Sequence, residues 1–282
     1  MIIGALNEAR FHQYIVLEDF HYLKSEVQKD FAIELKAFHE SSELCFIIVG
    51  VWLDENKLVI YNGDLTGRIV PVNADLWNED ELREVIQKGE DFLNIRFKES
   101  FTSEAIKASS GNVYIVQETC HRACNESGIH KTVVGERRLV GDGLNARSLV
   151  AEIIQEQSGR YNAFITNYAS GFQETALAMH KWLLYPILTS SIEELSKGLT
   201  YRSIRSKITS GHPQGKNLNP GNITQALKAV SSLQLSKSIQ PIILDYDESN
   251  LTLHIVDKGF LIWLSMQDRN ELLSTVGLPE MT

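Results

Sequence analysis

Two stretches near the start of the chain are continuously apolar, and most of the remaining apolar positions recur at helical spacing. Tyr14 to Leu17 is a four-residue buried-strand pattern ending in Glu18-Asp19, and Cys45 to Trp52 (CFIIVGVW) is a second apolar run. Such runs suit parallel strands covered on both faces. Between them Val27, Phe31, Leu35 and Phe38 recur at steps of four, four and three, which predicts an amphipathic helix. Arg68 to Val72 reads as a third, shorter strand. Asn78 is a candidate helix cap, with Asp80 and Glu81 in the first turn, where the helix dipole favours acids. That helix runs to about Lys88, with Gly89 as a stop or interruption. Residues 100 to 130 read as helices broken at Ser110-Gly111-Asn112. Residues 131 to 145 read as a polar, Gly-rich linker, and 146 to 190 as helical again.

The last hundred residues change style. Short helical patterns at 191–197 and 200–208 precede the loop GHPQGKNLNPG. Asn219 then caps a helix whose first position is Pro220, the place where a missing N–H costs nothing. Ile223, Leu227, Val230 and Leu233 give that helix its apolar stripe. Two strand-like runs come next, Pro241 to Leu244 and Leu251 to Val256, joined by DYDESN. A final helical stretch carries Phe260, Leu261 and Leu264. The order helix, helix, helix, strand, strand, helix over about 180 to 275 suggests a winged helix, in which the helix from Asn219 would be the recognition helix.

Composition narrows the class without deciding it. The 282 residues are 43% hydrophobic and 22% charged, which is globular rather than disordered. No window approaches 18 uninterrupted apolar residues, so no membrane span is expected. The opening lacks a basic segment followed by an apolar run, and three cysteines are too few for a disulfide framework, so a cytoplasmic setting fits. The net charge of −9 is uneven. Residues 182 to 240 hold seven Lys/Arg against two Asp/Glu, a local +5 that leaves −14 for the rest. A basic segment within an acidic chain can still meet nucleic acid.

The chemistry sits in the first third. An apolar strand ending in two carboxylates is the metal-side pattern of a P-loop nucleotidase, where one acid holds Mg²⁺ and the next polarises the attacking water. YIVLEDFHYL supplies Glu18 and Asp19, with His21 two residues on, either touching nucleotide or capping the turn. A second apolar strand ends at Trp52, where such enzymes sense the γ-phosphate. NGDLTGRI then presents Arg68, and an arginine there can stabilise transferring charge on a neighbour's ATP.

Together, YIVLEDFHYL, FIIVGVWLDENKLVIYNGDLTGRIVPVNADLW and the later SSGN resemble the second half of an AAA+ or STAND-type ATPase of the bacterial origin-recognition-like group. The resemblance covers roughly residues 10 to 125. It implies that Glu18 and Asp19 are the Walker B acids, Trp52 lies at sensor 1, Arg68 is a trans-acting arginine, and residues 79 to 125 are a helical lid. It further implies ATP and Mg²⁺ as cofactors, with Glu18 on the metal side, Asp19 positioning water, and a winged helix behind the lid. The acid order is reversed from the usual Asp then Glu, Trp52 is not a small polar sensor, and no arginine follows Gly111-Asn112.

The largest departure is the missing phosphate loop. G-x-x-x-x-G-K-[ST] does not occur, and GHPQGKN (211–217) has the wrong spacing, Asn after the lysine and no preceding strand. Met1 falls about a dozen residues before the first strand, so the fold is expected to lack its central strand and the N-terminal half to be weakened or rearranged. The expected architecture is α/β: a partial AAA+ core at 1–95, helical lid and linker at 96–145, helical connector at 146–180, and a mostly helical winged-helix-like domain at 181–282.

Three functions compete. The chain is an ATP-driven switch silent as an ATPase until a complementary half is supplied. Alternatively it is a DNA-binding regulator with a vestigial core, whose Arg202, Arg205, Lys207, Lys216, Lys228 and Lys237 meet phosphates. Or it is a scaffold or homo-oligomer subunit lending Arg68 to a neighbour. The bland readings are a solvated strand end at Glu18-Asp19, a solvated basic face or protein-contact module at the C-terminus, and buried thiols rather than a zinc site at Cys120, His121 and Cys124.

Overall fold

The computed structural model describes every residue except Met1, Arg10, His12, residues 52–56, Leu76, Glu174 and Thr282, together with all but the side chains of Ile2, Ile3, Asn7 and Lys216. The chain is mixed α/β and mostly helical, and it divides into two compact units, 1–73 and 74–282.

The first unit holds α1 (Ile2–Glu8), β1 (Ile15–Leu17), α2 (Ser25–Ser41), β2 (Phe46–Ile48) and α3 (Lys57–Tyr61). β1 and β2 pair in parallel, with Val16 opposite Ile47. A parallel pair requires a crossover, and α2 provides it. Side chains alternate across the pair. The Phe46 and Ile48 side meets α2, with the Phe31 and Phe38 rings 5.9 and 5.2 Å from Phe46. The opposite side is bare: Tyr14, Val16, Ile47 and Val49 are 68, 51, 44 and 48% exposed. On α2 the inward positions include Gln28 and Ala32 beside Phe31 and Leu35, while Val27 of the expected stripe turns outward.

The expected third strand at Arg68–Val72 does not form. Pro71 offers no N–H to a ladder, and Val70 and Val72 are 86 and 83% exposed with no strand beside them among the described residues. Among the described residues of the CFIIVGVW run, only Phe46–Ile48 form strand, matched to the three residues of β1. The buried apolar core of this unit, among the described residues, is Phe20, Ala32, Leu58 and Leu65.

The second unit opens with α4 (Glu79–Leu93), β3 (Ile95–Phe97), α5 (Glu99–Ala108), α6 (Val113–Glu126) and β4 (Arg138–Val140). Asn78 and Glu81 close a capping box at the start of α4. The helix runs through Gly89 and stops at Asn94, which adopts the left-handed conformation. Residues 131–145 are not a plain linker, since β4 pairs in parallel with β3. The buried Glu90 accepts a hydrogen bond from the Phe97 N–H at 2.6 Å. Next in the chain are α7 (Ala146–Glu156), α8 (Ser158–Ala169) and α9 (Met179–Thr189), then α10 (Ile192–Lys197), β5 (Leu199–Thr200), α11 (Tyr201–Gly211), α12 (Pro220–Lys228), α13 (Val230–Ser236), β6 (Leu244–Asp247), β7 (Thr252–Ile255), α14 (Lys258–Ser265) and α15 (Arg269–Thr275).

β5, β7 and β6 form an antiparallel sheet in that order. The second strand therefore starts later than the pattern suggested and takes in Asp245, Tyr246 and Asp247, leaving a shorter turn. The single expected helix from Asn219 is two, because Ala229 leaves the helical well at ψ 0°. Its four stripe residues are nonetheless all buried. The Asp257 carboxylate caps α14 and pairs with Arg160 of α8 at 2.7 Å. Lys258 reaches the carbonyls of Asp75 and Gly111 at 2.7 and 3.4 Å. These contacts tie the sheet's trailing helix to α8 and to the loops that precede α4 and α6. Among the described residues no helix is long and apolar enough to cross a membrane.

Candidate functional site

Glu18 comes directly after the last residue of β1, and Asp19 sits at φ 57°, capping the 3-10 turn Phe20–Tyr22. Both side chains are exposed. The pairing continues past the strand, with Val49 N–H donating to Leu17 and Phe20 N–H to Val49. The two acids therefore project from the C-terminal end of a parallel pair, where open α/β sheets bind ligands. The turn that carries them is held from beneath by Gln28, buried in α2, which donates to the Leu23 carbonyl at 2.7 Å and accepts from Tyr61 at 3.3 Å. His21 lies in the same turn, its ring 3.9 Å from that of Tyr22.

Arg68 is not gathered with the acids. It pairs with Glu40 at 3.1 Å, and Lys36 pairs with Asp64 at 2.7 Å, so both bridges tie the 63–68 segment to the last two turns of α2. The Lys36 ammonium hydrogen-bonded to Asp64 holds that carboxyl below its ordinary range. α2 begins six residues after Asp19, and at about 1.5 Å per residue its length is roughly 25 Å. Arg68 therefore belongs near the far end of the helix from the acids. Trp52, the remaining sensor candidate, lies outside the described residues. Among the described residues no group of three or more acids, histidines and cysteines is placed to hold a metal ion.

The cysteine pair of α6 is a packing feature. Cys120 and Cys124, one turn apart, face the core, and burial, with Cys124 and Glu90 nearby, pushes the Cys120 thiol up to about 12. His121 points the other way, toward Glu118 and Asn125 at the surface.

The basic residues of the C-terminal part sort into two groups. Lys207 donates to the Thr189 carbonyl at 3.2 Å, closing the end of α9. Lys228 pairs with Glu248 of the acidic β6–β7 turn at 2.5 Å. Arg202 and Arg205, by contrast, are exposed on α11 and form no ion pair among the described residues. With Tyr201, Ser206, Thr209 and Ser210 they line a shallow groove of about 560 Å³. Lys216 lies in the 3-10 turn Gly215–Asn217, and its side chain is outside the described part. Lys237 caps the end of α13 through its backbone.

Neither a family model nor a curated protein matches the chain.

Proposed function

We propose that the chain is the ATP-sensing and output part of an AAA+/STAND-like conformational switch, silent as an ATPase until a phosphate-binding half is supplied. The observation that carries this reading is the state of the first unit. A parallel β–α–β piece presents Glu18 and Asp19 at its C-terminal tip, while its outward face, Tyr14, Val16, Ile47 and Val49, is apolar and bare. Parallel sheets are ordinarily covered on both faces. A bare apolar face beside two free carboxylates is what remains when a strand, glycine-lysine loop and helix are taken away.

In that reading the complementary half binds the triphosphate, Glu18 holds Mg²⁺ and Asp19 orients the attacking water. Arg68, remote from these acids, would serve a neighbouring subunit's ATP. Residues 79–125 are the helical lid, and the helix–strand–helix–helix–helix–strand–strand order from α10 to β7 is a winged helix that passes the change onward. A reconstitution tests this. A strand–GxxxxGK[ST]–helix segment from a resembled ATPase, fused ahead of the chain, should confer Mg²⁺-dependent ATP binding that Asp19→Asn weakens. Saturable micromolar ATP binding by the unmodified chain would sink the reading.

A second role has its own observation. Arg202 and Arg205, exposed and with no ion pair among the described residues, stand beside four hydroxyl side chains, an arrangement that suits phosphodiester oxygens. If the winged helix touches DNA, it does so through α11 rather than through Lys228. Salt-sensitive duplex binding should fall on Arg202→Ala and Arg205→Ala and hold on Lys228→Ala.

A further inference from the structure

A cavity of about 500 Å³ opens between the 171–178 segment and α12. That volume falls within the range of about 300–1,000 Å³ usual for small-molecule sites. On one side stand Phe172, Leu177, Met179 and His180. On the other, Asn222, Gln225 and Ala226 of α12 and its C-cap Ala229 form one stripe, at steps of three, one and three. The lining is mainly apolar, and none of its described residues bears a formal charge.

The walls are preformed. His212 accepts from the Gln214 N–H at Nδ1, which leaves the Nε2 proton to donate to the Leu177 carbonyl at 3.1 Å. The Thr175 hydroxyl accepts from the Ala178 N–H at 3.1 Å. Gly171, at φ 60°, adopts the left-handed conformation and lies against the His180 ring, where an added Cβ would be in van der Waals contact at 3.4 Å. Phe172 meets the same ring edge-on at 5.4 Å.

The polar groups that a ligand could reach lie on α12. His180 Nδ1 and the hydroxyl of Tyr168, whose ring lies edge-on to His180, have no hydrogen-bond partner among the described residues, but both atoms are sealed inside the fold and out of a ligand's reach. Across from the His180 ring the Asn222 and Gln225 carboxamides offer both donors and acceptors.

We propose that this cavity binds a small uncharged heteroaromatic ligand, its flat body between Phe172 and the Ala226–Ala229 stripe and its polar edge on Gln225 and Asn222. The site is independent of the ATP reading. It places an effector against the side of α12, so that occupancy bears on the helix next to the winged helix's exposed face.

Saturation-transfer NMR on the full chain tests the assignment, with nicotinamide and indole as probes at millimolar concentration. Both should receive transfer. Ala229→Phe, which fills the cavity from α12, should abolish it for both. Gln225→Leu should weaken nicotinamide about fivefold, the loss of one neutral hydrogen bond, and leave indole unchanged. Thermal unfolding checks that Ala229→Phe still folds. If it does not, Phe172→Ser, on an exposed position, removes the opposite wall and should have the same effect. Transfer to neither probe, or transfer that survives the wall substitutions, overturns the proposal. Nicotinamide binding indifferent to Gln225→Leu overturns the polar edge.

Discussion

At the scale of single residues, the decisive side chains are polar groups at places where a hydrophobic pattern carries no information. Gln234 is wholly buried. It donates to the Val230 and Leu244 carbonyls and accepts from the Ile243 and Leu244 N–H groups, at 2.7 to 3.1 Å. β6 is an edge strand, and this one carboxamide supplies the hydrogen bonds that a neighbouring strand would. Gln234→Leu keeps the volume and strips those partners, leaving buried backbone groups that each cost about 1–3 kcal/mol. The variant should lose roughly 3 kcal/mol in urea unfolding of the second unit, and a loss under about 0.5 kcal/mol would show that water replaces the amide. Gln28 supports the Glu18-Asp19 turn in the same way. Nothing in the sequence distinguishes either glutamine from a surface one, because their roles are set by backbone groups distant in the fold. The thiols were more legible: two cysteines one turn apart on an apolar stripe point inward. With its thiol raised to about 12 by burial, Cys120 should resist iodoacetamide at pH 8 while exposed Cys45 reacts, by peptide mass mapping. Prompt labelling of Cys120 in the folded protein would contradict the packing of α6.

At the scale of elements, local chemistry was readable and pairing was not. Asn78 with Glu81, and Asn219 with Pro220, start their helices where the cap rules place them. Strands need partners, and the sequence does not announce them. Residues 138–140 look like linker and become β4 because Ile95–Phe97 lies alongside; Arg68–Val72 looks like a strand and stays irregular because no partner is there. The same logic bears on the candidate site. The motif placed Glu18 and Asp19 at a strand end, and there they are, but their distance from Arg68 is a property of α2's length and of two ion pairs. The bare face of β1–β2 makes an asymmetric prediction. Ile47→Lys, directed outward, should change stability by less than about 0.5 kcal/mol, as for a surface position. Ile48→Lys, on the α2 side, should unfold the first unit. Equal damage from both, measured by circular dichroism of the full chain, would mean that the outward face is already covered.

At the scale of the whole molecule, the two units differ in how much apolar surface each buries. The second unit has a cluster running through Tyr161, Phe164, Trp182, Phe260 and Trp263, continued by a second around Phe97, Phe101 and Ile106. The first has a core of Phe20, Ala32, Leu58 and Leu65 among its described residues, beneath a two-stranded sheet with free edges. Domains of this length are marginal even when their cores are complete, and isolated two-stranded pairs are weaker still. Stability should therefore be unequal along the chain. Urea unfolding should proceed in two steps, and limited proteolysis should cut within 1–73 first, leaving a resistant fragment close to 74–282. The ATP-switch reading adds a sign to this. A half that completes the sheet binds only the folded first unit, so it must raise the first transition by mass action and leave the second where it was. One cooperative transition for the unmodified chain, or a complementing segment that moves both transitions together, would show that the first unit is not waiting for a partner.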